Sequence, residues 1–167
     1  MMVFFDGPDQ SKKTTLARAV SEAIGFQLWE RGPYLPHHHG KKYNTNDSIW
    51  YVLDDMKTID LLTRCKCDVV VDRHPVISEI VYRHEEGKTS PLQYWTFPPA
   101  DGSRLNCIFI ILYDGSNDYS VDIERQYAQA LSSAKRNGSR VMVKSFSTED
   151  VEATFQSIVD LLRSLCV

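Results

Sequence analysis

The sequence predicts an α/β fold, in which a central parallel sheet of about five strands carries helices on both faces. Three observations predict it. Short, β-rich apolar runs alternate with longer amphipathic stretches along the whole chain, as repeated βαβ units require. Cys107 to Tyr113 is an almost unbroken apolar run, which suits a strand buried on both faces. A lysine- and threonine-rich loop, Gly7–Thr15, joins the first strand to the first helix. The 167 residues fit one domain, 1–167, with room for a real core.

Val3–Asp6 reads as the first strand, and Thr14–Ile24 as the helix after it. Gln27–Glu30 is a second short strand. Arg31 to Asn46 holds two prolines, two glycines and three histidines, so it reads as a loop. Asp47 is placed to cap a helix running to about Arg64, with Ile49, Val52, Leu53, Met56, Ile59 and Leu62 near helical spacing. Asp68–Asp72 is a buried-type strand, and a short helix spans Val76–Arg83. Glu85 to Asn106 is a polar connection whose aromatic patch, Tyr94-Trp95-Thr96-Phe97, is expected to fold back over the sheet edge. After the Cys107–Tyr113 strand, a helix covers Val121–Arg136 and Asn137-Gly138 stops it. Arg140–Phe146 is the last strand. Ser147, with Asp150 three residues later, has the spacing of a capping box for the final helix.

Charge and composition narrow the function classes. The formal net charge of -3 argues against a protein built to grip long nucleic acid, which needs a basic surface to neutralise phosphates. It is compatible with a small anionic ligand in one local pocket. No apolar run reaches the length of a membrane span, and Met1–Phe5 is too short for the core of a signal peptide. The four cysteines lack the density of a secreted disulfide scaffold. A cytoplasmic location is the expectation, host cytoplasm if the chain is viral.

In open parallel sheets, ligands bind outside the carboxyl ends of strands. Two loaded sites fall there: the turn after Asp6, and Asp72-Arg73. Gly7-Pro8-Asp9-Gln10-Ser11-Lys12-Lys13-Thr14-Thr15 has the strand–loop–helix context of the phosphate-loop pattern G-x-x-x-x-G-K-[ST]. Backbone N–H groups of Gly7 and of Gln10 through Thr15 would nest an anion at the helix N-terminus. Lys13 would reach the β- and γ-phosphates of ATP, and Thr14 would place its hydroxyl on Mg²⁺. Lys12 departs from the pattern, standing where the second glycine belongs. A positive φ there would cost a lysine about 1–2 kcal/mol.

Phe4-Phe5-Asp6-Gly7-Pro8-Asp9-Gln10-Ser11-Lys12-Lys13-Thr14-Thr15 resembles the opening of thymidylate kinases, whose loop reads G-x-D-x-x-G-K-T-T. Asp72-Arg73-His74 resembles their second motif, D-R-[YFH], at the end of the third strand. The pattern Asp72-Arg73-His74-Pro75-x-x-Ser78-Glu79-x-x-Tyr82 is closer still to phage-type P-loop kinases of that group. The resemblance spans nearly the whole chain, with two specific motifs. It implies a three-layer P-loop kinase fold and ATP-dependent phosphoryl transfer to a small nucleotide.

Roles follow partly from chemistry and partly from the resemblance. Arg73 has the planar fork to clamp an acceptor phosphate. Asp72 is suited to organise Mg²⁺, or to act as base for a hydroxyl acceptor. The resemblance places Asp9 on a deoxyribose 3′-hydroxyl, and Tyr51 of Trp50-Tyr51-Val52-Leu53-Asp54-Asp55 on the base. Asp55 then stands where the family has a base-reading arginine, and a carboxylate prefers an exocyclic amine. The segment Asp114–Ser120 lacks the lid arginines of the family. Arg125 is the first cation beyond it, and Arg31, Arg83 or Lys12 are candidates to substitute. His37-His38-His39 and Cys65-x-Cys67 lack the ligand spacing of a metal site.

The leading expectation is transfer of the ATP γ-phosphoryl group to a deoxynucleoside monophosphate, with Lys13, Asp72 and Arg73 as catalytic residues. One alternative moves the acceptor to a hydroxyl, on a nucleoside or on a modified base in DNA; the short lid leaves room for a polymer, while the acidic balance disfavours it. Another is a phosphate-loop protein that binds nucleotide without turnover, which Lys12 and the bare lid favour. Members of the resembled family are often dimers, so a homodimer is compatible with the resemblance.

Overall fold

The computed structural model describes residues 1–30, 47–64, 67–100 and 107–165, with backbone only for 47–51. The elements run β1 (Met2–Asp6), α1 (Lys13–Ile24), β2 (Gln27–Glu30), α2 (Asp47–Arg64), β3 (Val69–Asp72), α3 (Pro75–Glu85), β4 (Cys107–Tyr113), α4 (Asp118–Ala134), β5 (Val141–Ser147) and α5 (Val151–Leu165). The strands form one parallel five-stranded sheet in the order β2-β3-β1-β4-β5.

Alternation along the strands decides which face each helix covers, because successive side chains point to opposite sides. Val3 and Phe5 of β1, Val70 of β3, and Ile108, Ile110 and Leu112 of β4 pack against α1 and α5 through Leu16, Val20, Ile158 and Leu162. Met2, Phe4, Val71, Phe109 and Ile111 face the other way, onto α2, α3 and α4 through Ile59, Ile77, Val81, Ile123 and Leu131. The result is helix, sheet, helix. Each fully buried residue of this kind stabilises the fold by about 1.5–3 kcal/mol through removal from water. No described helix is long and apolar enough to cross a membrane.

Local details differ from expectation for identifiable reasons. Helix α4 begins at Asp118, three residues early, because the Asn117 side chain accepts the Ser120 N–H at 3.2 Å. It ends at Ala134, before Asn137-Gly138, since Lys135 is already extended at φ -72° and ψ 137°. Ser147 does not cap the last helix. It closes β5, and Asp150 accepts the Ala153 N–H at 3.0 Å instead. The aromatic patch covers the sheet's face rather than its edge: Trp95 and Phe97 pack on His74 and Phe97 also meets Phe109, over the central strands. Tyr94 alone of its rings stays out, 82% exposed.

The β1–β3 register sets up the site. Phe5 pairs with Asp72, so β3 ends one residue short of β1, and the Arg73 N–H donates to the Phe5 carbonyl at 2.9 Å. The loop after β1 therefore lies beside Asp72-Arg73.

Candidate active site

Gly7 opens the loop at φ 133°. A Cβ there would lie 2.1 Å from the Leu112 carbonyl oxygen on β4, so only glycine fits. The backbone of Gln10 and Lys12 is left-handed, at φ 66° and 60°. Lys12 is the N-cap of α1 and makes no side-chain cap. The lysine at the second-glycine position thus carries the backbone penalty expected of it, about 1–2 kcal/mol. A third left-handed residue without glycine's freedom is Arg73, at φ 75°. All three lie at one site, and strained backbone of this kind clusters where function imposes it.

Lys13 is almost completely buried, 5% exposed, and spans the loop. Its ammonium donates to the Pro8 carbonyl, and to Ser11 Oγ at 3.3 Å. Burial, seconded by the nearby Arg73 charge, lowers its pKa to about 8, against the pull of Asp6, Asp9 and Asp72. Ser11 closes the same turn through its own bond to Pro8 at 2.8 Å. Thr14 and Thr15 follow on the first turn of α1, both exposed.

Across the strand ends, Thr14 Oγ1 donates to Asp72 Oδ2 at 2.6 Å. The other carboxylate oxygen, Asp72 Oδ1, is buried and has no hydrogen-bond partner. A hydroxyl on one oxygen and an orphaned second oxygen, beside the Gly7–Thr15 loop, form a donor set of the all-oxygen kind that Mg²⁺ takes. Thr14 and Asp72 therefore fit the ion.

Asp9 and Arg73 meet directly. Arg73 Nη2 donates to Asp9 Oδ1 at 2.7 Å and Nη1 to the Tyr82 hydroxyl at 2.5 Å. Tyr82 in turn donates to Asp9 at 3.0 Å, and the guanidinium sits 5.4 Å from the Tyr82 ring centroid. Partial burial pushes Asp9 up, but the bond and charge of Arg73 outweigh it and hold the carboxyl below its ordinary value. The guanidinium fork is thus held by two partners, Asp9 and Tyr82.

Beneath this lies Asp6, fully buried at the end of β1. It accepts from the His74 N–H at 2.9 Å, from Ser78 Oγ at 2.9 and 3.2 Å, and from the Gly7 N–H at 3.3 Å. Burial raises its pKa above 3.8 despite these bonds and the Arg73 charge. His74 itself caps α3, its Nδ1 accepting the Ile77 N–H at 3.3 Å, with Pro75 as the first helical residue. Ser78 and Tyr82 are four apart on α3 and therefore share a face. One holds Asp6 and the other holds Asp9, so α3 grips both carboxylates that bracket the start of the loop.

The remaining candidates are placed as follows. Asp55 is half-buried on α2. Arg31 and His37–His39 lie outside the described residues, as does the side chain of Tyr51. The β4–α4 connection is a tight turn: Asp114 Oδ1 accepts from the Ser116 N–H at 3.0 Å, and the Asp114 N–H donates to Ser120 Oγ at 2.8 Å. Arg125 is exposed on Asp122 at 3.0 Å, and Arg83 is partly buried against Glu79 at 2.7 Å. The sequence reading gave no role to Asp6, although its donors His74 and Ser78 stand in the motif quoted above. Its signal was the Ser78–Tyr82 spacing on an otherwise apolar helix face.

Structures similar to this chain are kinases in part. Thymidylate kinase from Ehrlichia chaffeensis superposes with a TM-score of 0.64 at 14% identity, covering 98% of both chains. The YorR protein from Bacillus subtilis, in complex with phosphorylated GDP, gives a TM-score of 0.55 at 15% identity, over 98% of this chain and 96% of that one. No protein-family model matches the sequence, and no curated protein matches it. With its strand order and loop, the chain has the α/β P-loop kinase fold.

Proposed function

We propose that the protein is an ATP-dependent phosphotransferase that moves the γ-phosphoryl group to a deoxynucleoside monophosphate. The observation that carries this reading is one juxtaposition. The buried Lys13 loop and the Thr14–Asp72 pair stand beside an Arg73 fork already aimed by Asp9 and Tyr82. A generic nucleotide binder needs only the first half of that arrangement. The thymidylate kinase structure of the same fold supports the reaction class.

The loop N–H groups and Lys13 bind the donor phosphates, with positive charge from the start of α1. Thr14 and Asp72 would hold Mg²⁺, which supplies charge neutralisation at the donor phosphates. Arg73 takes the acceptor phosphate, exchanging the Asp9 carboxylate for it or sharing its fork between the two. Asp9 is then released toward a sugar hydroxyl, and the resemblance of its loop to that of thymidylate kinases favours a deoxynucleotide acceptor. An acceptor phosphate oxygen attacks the γ-phosphorus, the bond to the β–γ bridging oxygen breaks, and the electron pair stays on ADP. No general base is needed for such an acceptor, so positioning supplies most of the catalysis.

The test is label transfer from γ-labelled ATP with Mg²⁺ to a panel of monophosphates, nucleosides and modified DNA. Labelled diphosphate product is expected. Label on a hydroxyl of a nucleoside or of DNA instead would move the acceptor and give Asp72 the role of base. Nucleotide binding with no transfer to any acceptor would overturn the enzymatic reading.

A further inference from the structure

Lys12 stands where the phosphate-loop pattern has a glycine, and its backbone takes the left-handed conformation that glycine adopts without penalty. Backbone geometry thus gives no reason for a lysine. The side chain is exposed and has no hydrogen-bond or ion-pair partner among the described residues. The other described cations around the loop are committed: Arg73 to Asp9 and Tyr82, Lys13 to Pro8, Arg18 to Glu30, Arg83 to Glu79 and Arg125 to Asp122. The tight Asp114–Asn117 turn before α4 carries a carboxylate and no cation. Charge building on a transferring phosphoryl group would find no arginine from that turn.

We propose that Lys12 supplies the missing charge, its ammonium contacting the bound donor phosphates and stabilising the oxygen that leaves with ADP. The residue is catalytic in this account, acting through its charge while the phosphorus–oxygen bond to the bridge breaks and that to the acceptor forms. The loop accepts a strained backbone at Lys12 because the side chain is used. The inference rests on the phosphotransfer reading of the same site.

Three substitutions separate backbone from charge. Lys12→Gly relieves the strain and removes the ammonium, so it should melt at a higher temperature than the parent chain while kcat falls about a hundredfold. Its KM for ATP should rise by less than kcat falls. Lys12→Gln should lose the rate without the gain in melting temperature, and Lys12→Arg should keep most of the rate. Full turnover in Lys12→Gly, or equal rates in Lys12→Gln and Lys12→Arg, would overturn the proposal. If Lys13→Ala abolishes transfer while Lys12→Gly does not, the phosphate-site reading stands and only this inference falls. A parent chain that transfers to no acceptor removes both.

Discussion

Replacing Asp6 distinguishes a buried carboxyl held as a hydrogen-bond acceptor from one kept as a structural charge. Its carboxyl takes the His74 N–H and the Ser78 hydroxyl in a fully buried setting. Asp6→Ala strands those two donors together with the Gly7 N–H, at about 1–3 kcal/mol each, and a total loss of about 3 kcal/mol or more is expected. Asp6→Asn behaves differently. The amide oxygen can keep the His74 bond, and the amide N–H₂ finds the Ser78 oxygen as acceptor. Because burial raises the carboxyl above 3.8, the folded protein holds that proton more tightly than the unfolded chain. The contribution is present in full below the unfolded pKa and is lost as pH rises through the folded one. Parent stability should therefore fall relative to Asp6→Asn as pH climbs from 4, leaving the amide variant equal or more stable at pH 7. Denaturant unfolding at several pH values reads both effects. An Asp6→Asn loss as large as that of Asp6→Ala, or a pH-independent difference between Asp6→Asn and the parent, would refute the reasoning.

Three further outcomes follow from the same geometry. A bound phosphate favours the charged form of Lys13, whose pKa of about 8 leaves much of it neutral near pH 8.5. ATP binding there should take up protons, seen as a binding enthalpy that varies with the buffer's ionisation heat, and Lys13→Ala should abolish the dependence. Tyr82→Phe removes one of the two partners that aim Arg73, and should raise the acceptor KM about tenfold with the ATP KM unchanged, since a bond to a charged group contributes about 1.5–3 kcal/mol. Gly7→Ala drives a methyl into the Leu112 carbonyl and should cost about 3 kcal/mol or more in denaturant unfolding; parent-like stability would show that the loop can shift.

The elements were legible because their signals are local. The apolar Cys107–Tyr113 is β4 to the residue, and the apolar spacing places α2 at Asp47–Arg64. The loop between β1 and α1 was legible for the same reason, including the left-handed backbone at Lys12. Boundaries slipped where a side chain chose among neighbours: Asn117 over a later start for α4, and Asp150 over Ser147 for α5. What sequence could not show is what the β1–β3 register creates. The Arg73–Asp9 pair and the His74–Asp6 bond join residues 64 and 68 positions apart. Arg73's positive φ belongs to the same class, since nothing in Asp72-Arg73-His74 alone demands a left-handed arginine.

The central claim is that Gly7–Thr15 is a phosphate site that works through Lys13. Titration calorimetry with ATP and Mg²⁺ tests it most directly. A micromolar Kd, about -8 kcal/mol, is predicted for the parent chain, with Lys13→Ala weaker by at least about tenfold, or 1.4 kcal/mol. No binding by the parent chain, or the same Kd in both proteins, would contradict it.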